Sequence, residues 1–214
     1  MDYTIRRSPR ARRVRVSVDG AGGVEVVLPR RAPERAAAQA VRELEGWIER
    51  RRRTLARAAA EVARPAGTVP YLGRDLTLVP QPGRERVHRR GDELLVPKRD
   101  AGPALERWYR RQARTEIGAR LDAVTARHGT PYDGLTIRGQ KTRWASCSSR
   151  GHMSFNWRLM LAPEAVVDYV IEHEVAHLEL MDHSPRFWAL LESRVPDWRE
   201  HARWLRRYGP TLVL

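Results

Sequence analysis

His173-Glu174-Val175-Ala176-His177, followed after five residues by His183, is the stretch that decides the fold. On a helix, positions i and i+4 share one face a turn apart, so two imidazoles placed there can grip one cation. Glu174 lies about 100° round the axis from His173, close enough to lean over a water held by that cation. From the chain's own composition the pattern arises by chance roughly 0.02 times per chain.

The surrounding text supports the helix. Glu164 to Leu178 is rich in Val and Ile, and Pro163 suits a first turn. Val166, Val170, His173 and His177 fall on one stripe at spacings of four, three and four, which turns both imidazoles inward. Glu172 and Glu179 are expected on the solvated side, with support of the metal ligands from behind as the alternative. The plain alternative, two core histidines satisfied by carbonyl groups, leaves the adjacent Glu and the third His unexplained.

His183 needs a break in the chain. An unbroken helix would rotate it about 600°, or about 240° net, from His177. Ser184-Pro185 supplies a stop, reading as an N-cap and first-turn Pro of a new helix over Pro185 to Arg194. His183 then sits in a tight turn, free to swing back as a third ligand. The spacing equals that of metzincins, but their turn Gly is Leu180 here, so the helix is expected to run about a turn further. None of Met1, Met153, Met160 and Met181 suits a Met-turn, and the metzincin assignment is rejected.

The chemistry implied is hydrolytic. H-E-x-x-H is the arrangement of zinc-dependent peptidases. Three neutral imidazoles would leave one Zn²⁺ its full charge, acidifying a bound water and polarising a peptide carbonyl. Glu174 would take the water's proton as general base and pass it to the leaving amine. An oxyanion donor is also needed, and Arg143, Asn156, Arg158 and Tyr169 are the candidates. Arg143 and Arg158 read equally well as ion-paired structure. Cys147, the only cysteine, reads as a plain buried thiol on a strand rather than a nucleophile or fourth ligand.

Elsewhere the periodicity predicts strands over Val14–Val18 and Val24–Leu28, then one long helix from Pro33 to about Ala63 with Val41, Leu44, Ile48, Leu55 and Val62 on its apolar side and Gly46 weakening it. Short strands follow at Thr68–Leu72, Asp75–Val79, Arg86–Arg89 and Glu93–Val96, and a helix from Pro103 to His128 stopped by Gly129. Strands near Leu135–Arg138, Thr142–Ser146 and His152–Asn156 precede the histidine helix; helices over Pro185–Arg194 and Asp197–Tyr208 follow it. This layout implies an α+β, zincin-like metallopeptidase domain with a small antiparallel sheet packed on the metal-binding helix, preceded by a β-rich N-terminal region with one long helix. A soft boundary near Asp100–Pro103 separates a basic α+β region (1–100) from the zincin-like core (101–214), and the two can be continuous. An edge strand, Thr142–Ser146 or His152–Asn156, is expected to pair with an extended substrate peptide.

The 214 residues carry a net charge of +14. Lys and Arg outnumber Asp and Glu by 23 to 13 in residues 1–100 and by 17 to 13 beyond, so the excess lies outside the histidine region. Lys98 and Lys141 are the only lysines. The Arg10–Arg15 run and Arg50, Arg51, Arg52 and Arg53 are candidate contacts to nucleic-acid phosphates, with a solvated basic face as the plain reading. There is no apolar run of membrane-spanning length, and the first residues lack a signal's apolar stretch. A single cysteine suits a reducing cytoplasm. The alternative to a peptidase acting on peptides or proteins is a nucleic-acid-binding protein with a structural or vestigial metal site, or a peptidase acting on nucleic-acid-bound proteins.

Several stretches together resemble one family. Arg143-Trp-Ala-Ser-Cys-Ser, Gly151, Phe155-Asn-Trp-Arg-Leu, Ala162-Pro163, Asp168-Tyr-Val, His173-Glu-Val-Ala-His-Leu and His183-Ser-Pro-Arg-Phe-Trp are similar to the YgjP-like metallopeptidases, related to the SprT-like and WLM zinc peptidases. Tyr71-Leu-Gly-Arg, Trp108-Tyr-Arg and Pro196-Asp-Trp extend the likeness over nearly the whole chain. The family pattern has Gly where this chain has Ala145. The resemblance implies one zinc per chain on His173, His177 and His183, with Glu174 catalytic.

Overall fold

A computed structural model describes residues 1–140 and 143–214. Lys141 and Thr142 lie outside the described residues, and with them the start of the strand expected at Thr142. The chain divides into two compact units, Met1–Ala63 with Arg207–Val213, and Arg64–Arg206 with Leu214. The seam expected near residue 100 falls inside the second unit, between a strand and the helix that follows it.

In the first unit, β2 (Arg15–Val18) and β3 (Val24–Pro29) form the expected antiparallel pair, and β1 (Thr4–Ser8) adds to β3 in parallel, giving the order β1-β3-β2. β1 escaped the sequence reading because Thr-Ile-Arg-Arg-Ser has one apolar residue and no buried face; backbone pairing alone recruits it. The predicted long helix is two helices, α1 (Arg35–Glu43) and α2 (Glu45–Glu61). Leu44 breaks them at φ −102° and ψ 9°, and it is 38% exposed instead of lying on the apolar stripe. Gly46, two residues on, is a poor helix former where the break occurs. Val24, Val26 and Leu28 of the central strand bury against Ala37, Val41 and Ile48.

The second unit opens with β4 (Thr68–Tyr71), β5 (Arg74–Gln81), β6 (His88–Arg90) and β7 (Glu93–Pro97), ordered β4-β5-β7-β6. Helix α3 (Ala101–His128) follows and buries Leu105, Tyr109, Ile117, Leu121 and Val124 as its periodicity predicts. Gly129 ends it at φ 67°, a left-handed cap open to Gly at no steric cost. Then come β8 (Gly134–Arg138), β9 (Ala145–Cys147) and β10 (His152–Asn156), a short 3-10 turn over Trp157–Leu161, and helices α4 (Glu164–Ala176), α5 (Pro185–Arg194) and α6 (Trp198–Tyr208).

This last sheet is mixed, not purely antiparallel. β10 pairs with β9 antiparallel and with β8 in parallel, in the order β8-β10-β9. β10 is therefore central and cannot be the substrate edge; Met153, Ser154, Phe155 and Asn156 are all buried, as a strand with two neighbours requires. β9 is an edge, and it packs against α4. Arg120 on α3 fastens the start of α4, donating to Asp168 at 2.6 Å and to Glu164. Among the described residues no helix is long and apolar enough to cross a membrane.

Candidate active site

Helix α4 is the platform. Val166, Val167, Val170, Ile171 and Val175 bury it, so its inward stripe is fixed by packing before any ligand is considered. The helix ends sooner than expected. After Ala176 the backbone tightens into i→i+3 bonds, Leu178 N–H to Val175 O at 2.9 Å and Glu179 N–H to Ala176 O at 3.1 Å. No residue here takes a left-handed conformation. Instead, the His177 ring bonds through Nδ1 to Leu180 O at 3.0 Å. A carbonyl oxygen only accepts, so Nδ1 carries the proton and Nε2 presents its lone pair.

The chain then turns back. Asp182 Oδ1 accepts the Ser184 N–H at 3.1 Å, and Pro185 starts α5. Ser184 stands at the N-cap position, but its hydroxyl makes no capping bond; the turn is held by Asp182 instead. This brings His183 Nε2 to 3.1 Å from His173 Nε2. The ligating atoms of His173, His177 and His183 all lie within 4.8 Å of one another, a group able to hold one metal ion. Around a tetrahedral centre with bonds of about 2.1 Å, nitrogens sit roughly 3.4 Å apart, so the spacing suits such a centre. Burial, then the neighbouring His177 and His183, push the His173 ring down to about 3, so it stays a neutral donor across the physiological range. Burial also lowers His177.

Glu174 is 6% exposed on the same helix. Burial pushes its carboxyl up to about 7, against the opposing pull of the Cys147 backbone N–H and the Arg143 charge. With no cation beside it, this buried carboxyl therefore holds its proton more tightly than a free one. Two hollows flank it. One, of about 300 Å³, is lined by Arg143, Trp144, Ala145, Tyr169, Val170, His173, Glu174 and Leu205. The other, of about 270 Å³, is lined by Arg143, Ala145, Ser146, Cys147, His173, Glu174, His177, Met181 and His183. The edge strand β9 and the residues just before it border both.

The remaining candidates separate. Arg143 and Tyr169 line the first hollow. Asn156 is 3% exposed and wholly engaged: Nδ2 donates to Gln140 O at 2.7 Å and Arg143 O at 3.3 Å, while Oδ1 accepts the Arg158 N–H at 3.1 Å. The Arg158 guanidinium lies 4.4 Å over the Trp157 ring and borders neither hollow. Cys147 is half-buried on β9 and lines the second hollow; burial and Glu174 push its thiol up to about 11, which removes it as a nucleophile at neutral pH. Arg50, Arg51, Arg52 and Arg53 belong to α2 in the first unit, where Arg52 Nε donates to Gly22 O at 2.8 Å.

The sequence model of the YgjP-like family's metallopeptidase domain matches residues 12–208. The chain belongs to that family. As a YgjP-like metallopeptidase it is a hydrolase of peptide or protein substrates that works with a metal, and the three-histidine cluster fits that requirement. No curated protein sequence matches the chain. Two crystal structures are similar to part of it: the metallopeptidase zymogen of Pyrococcus abyssi abylysin (23% identity, TM-score 0.40, 45% of this chain and 99% of that one) and that of Methanocaldococcus jannaschii jannalysin (18%, 0.38, 42% and 93%).

Sequence reasoning put Glu172 on the wrong side of α4 and missed two contributors to this YgjP-like site, Phe187 and Trp188. Glu172, expected on the solvated side, is 5% exposed and accepts from Arg127 at 3.2 Å and pairs with His128 Nε2 at 3.0 Å. Phe187 is fully buried and stacks on the His177 ring at 4.6 Å, also touching His173 and His183. Trp188 lies 5.3 Å from His183 and stacks on Trp198 at 4.6 Å. Two adjacent aromatics in the first turn after the Ser-Pro stop were the available signal for this wall.

Proposed function

We propose that this chain is a zinc-dependent peptidase in which His173, His177 and His183 hold one zinc ion and Glu174 is the general base. The convergence of three ring nitrogens within 4.8 Å beside a buried carboxyl carries the reading. Three imidazole nitrogens and an open fourth position are the donor set of catalytic zinc. When bound, the ion supplies Lewis acidity that polarises a peptide carbonyl and acidifies water.

The chain's own residues supply the rest. An extended peptide pairs with the outer edge of β9 beside Ala145, next to the Cys147 N–H that already meets Glu174, with a hollow on either side of that carboxyl. Trp144, Val170 and Leu205 give one hollow an apolar wall suited to a bulky side chain next to the scissile bond. Glu174 takes a proton from the attacking water and returns it to the departing amine. Arg143 and Tyr169, which border the same hollow, are the donors for the developing oxyanion. Phe187 and Trp188 hold the three rings in place and keep bulk water from their far side.

The test pairs metal content with turnover. Glu174→Gln is expected to keep one zinc per chain and lose roughly 10²–10⁴-fold in cleavage of an unfolded protein substrate or a quenched peptide library. Full activity in Glu174→Gln, or a wild-type chain that takes up no divalent cation, would refute the assignment.

A further inference from the structure

The first unit carries a surface that peptide hydrolysis does not use. Because β1 runs parallel to β3 (Ser8 opposite Pro29) while β2 runs antiparallel to it (Arg15 opposite Val27), one end of the sheet gathers three chain ends. Residues 9–14 arch from β1 to β2 over the point where residues 30–34 leave β3. Two tight turns stand side by side there, closed by Ala11 N–H to Ser8 O at 3.3 Å and Ala32 N–H to Pro29 O at 3.0 Å. Arg7 ties them together, donating to Arg30 O at 3.1 Å and Ala32 O at 2.8 Å.

Arg10, Arg12, Arg13, Arg30 and Arg31 project from this end, and all five are exposed. Among the described residues none has a carboxylate partner in an ion pair; Glu34, in the segment that leaves β3, is 74% exposed and pairs with Arg7. Five guanidiniums rise from the two turns at one end of a three-stranded sheet whose outer strands stand about 10 Å apart, a concentration of positive charge suited to an anion with several charges. Guanidinium forks match phosphate oxygens in geometry as well as charge.

We propose that this sheet end binds double-stranded nucleic acid through its phosphate backbone, without reading sequence. A single strand is the poorer fit because no aromatic side chain is available at this end for stacking. The unit's aromatics are Tyr3, packed on the core, Trp47 on α2, and Tyr208. A lipid surface is also the poorer fit, since none of the exposed large apolar residues falls within 9–14 or 30–35. Of the two arginine runs expected to contact phosphates, the proposal keeps Arg10–Arg13, joins Arg30 and Arg31 to it, and leaves out Arg50–Arg53. Arg52 reaches Gly22 in the hairpin between β2 and β3, so the Arg50–Arg53 run belongs to the opposite end of the sheet. The inference does not depend on the peptidase assignment.

The experiment uses the full chain and a labelled 20-base-pair duplex of mixed sequence, as DNA and as RNA, followed by fluorescence anisotropy. Five phosphate contacts give a slope of log K on log salt near −4.5, a loss of about 500-fold in affinity between 50 and 200 mM. R12S/R13S/R30S/R31S is expected to bring that slope to about −1. R42S/R50S/R53S/R57S removes the same charge elsewhere in the unit and is expected to change affinity less than about threefold. Unaltered far-UV circular dichroism and metal content establish that both variants are folded. Any one of four results overturns the proposal: no duplex binding at 50 mM salt, equal losses in both variants, tighter binding of the matching single strand, or tighter binding of phosphatidylserine vesicles than of either duplex.

Discussion

Truncating Glu172 is the sharpest structural test, because sequence periodicity and the folded chain disagree about it. A glutamate on the solvated face of a helix changes stability by less than about 0.5 kcal/mol when cut to Ala. Here the side chain is 7% exposed and meets His128 Nε2 at 3.0 Å, and His128 is itself only 16% exposed. Losing a hydrogen bond to a charged acceptor costs about 1.5–3 kcal/mol, and stranding a largely buried imidazole adds to it. Arg127 contributes little, being 63% exposed. Glu172→Ala is therefore expected to destabilise the metal-free protein by about 3 kcal/mol, read as a lower urea midpoint by tryptophan fluorescence. Arg127→Ala should cost under about 1 kcal/mol. In a double-mutant cycle, Glu172→Ala and His128→Ala should couple by at least about 1 kcal/mol. A Glu172→Ala midpoint indistinguishable from wild type, or additive losses in the cycle, would refute the reasoning.

Two further outcomes follow from the site. The His173 ring titrates at about 3 in the folded chain, against about 6.5 for a free histidine, so below the free value the unfolded chain binds a proton that the folded one does not. The His173 contribution to the stability of the metal-free protein should hold above pH 6.5 and fall as pH drops towards 3, by up to about 1.4 kcal/mol per unit, while Glu174, pushed up to about 7, works in the opposite sense and cancels in the difference between wild type and His173→Phe. Urea midpoints of wild type and His173→Phe at pH 7, 6, 5 and 4 check it, and parallel curves would sink it. Leu205→Trp fills the apolar hollow beside Glu174 and should lower kcat/KM by about 5–100-fold for peptides with a bulky apolar residue at the scissile bond, with zinc content unchanged. Equal kinetics on those peptides would show that the hollow takes no side chain.

Which features were legible depended on the range of the interaction behind them. The four-residue step from His173 to His177, the Ser-Pro stop and the Gly129 cap are local, and a single periodicity or dihedral preference determines each. β10 matched its expected limits for the same reason, yet its place at the centre of the sheet depended on β8 joining it in parallel, a non-local choice. Glu172 was misread because its partners lie 44 and 45 residues away on the last turn of α3. Leu44 was misread because an apolar residue on a continuous stripe can still turn outward where a weak helix breaks.

The end of α4 shows how a proposed ligand can also serve the backbone. A glycine in the left-handed region would end the helix and leave its neighbours independent of the metal site. In this chain Leu180 stands at that position, and its carbonyl is taken by the His177 ring. One hydrogen bond thus sets three things together: the tautomer of His177, the tight turn after Ala176, and the path that returns His183 to within 3.1 Å of His173. Residues 178–182 are therefore part of the proposed ligand set in a mechanical sense, although none of their side chains belongs to the three-histidine cluster. Any change that lengthens this turn must move His183 and free Nδ1 of His177 in the same step. The third ring and the tautomer of the second are gained or lost together.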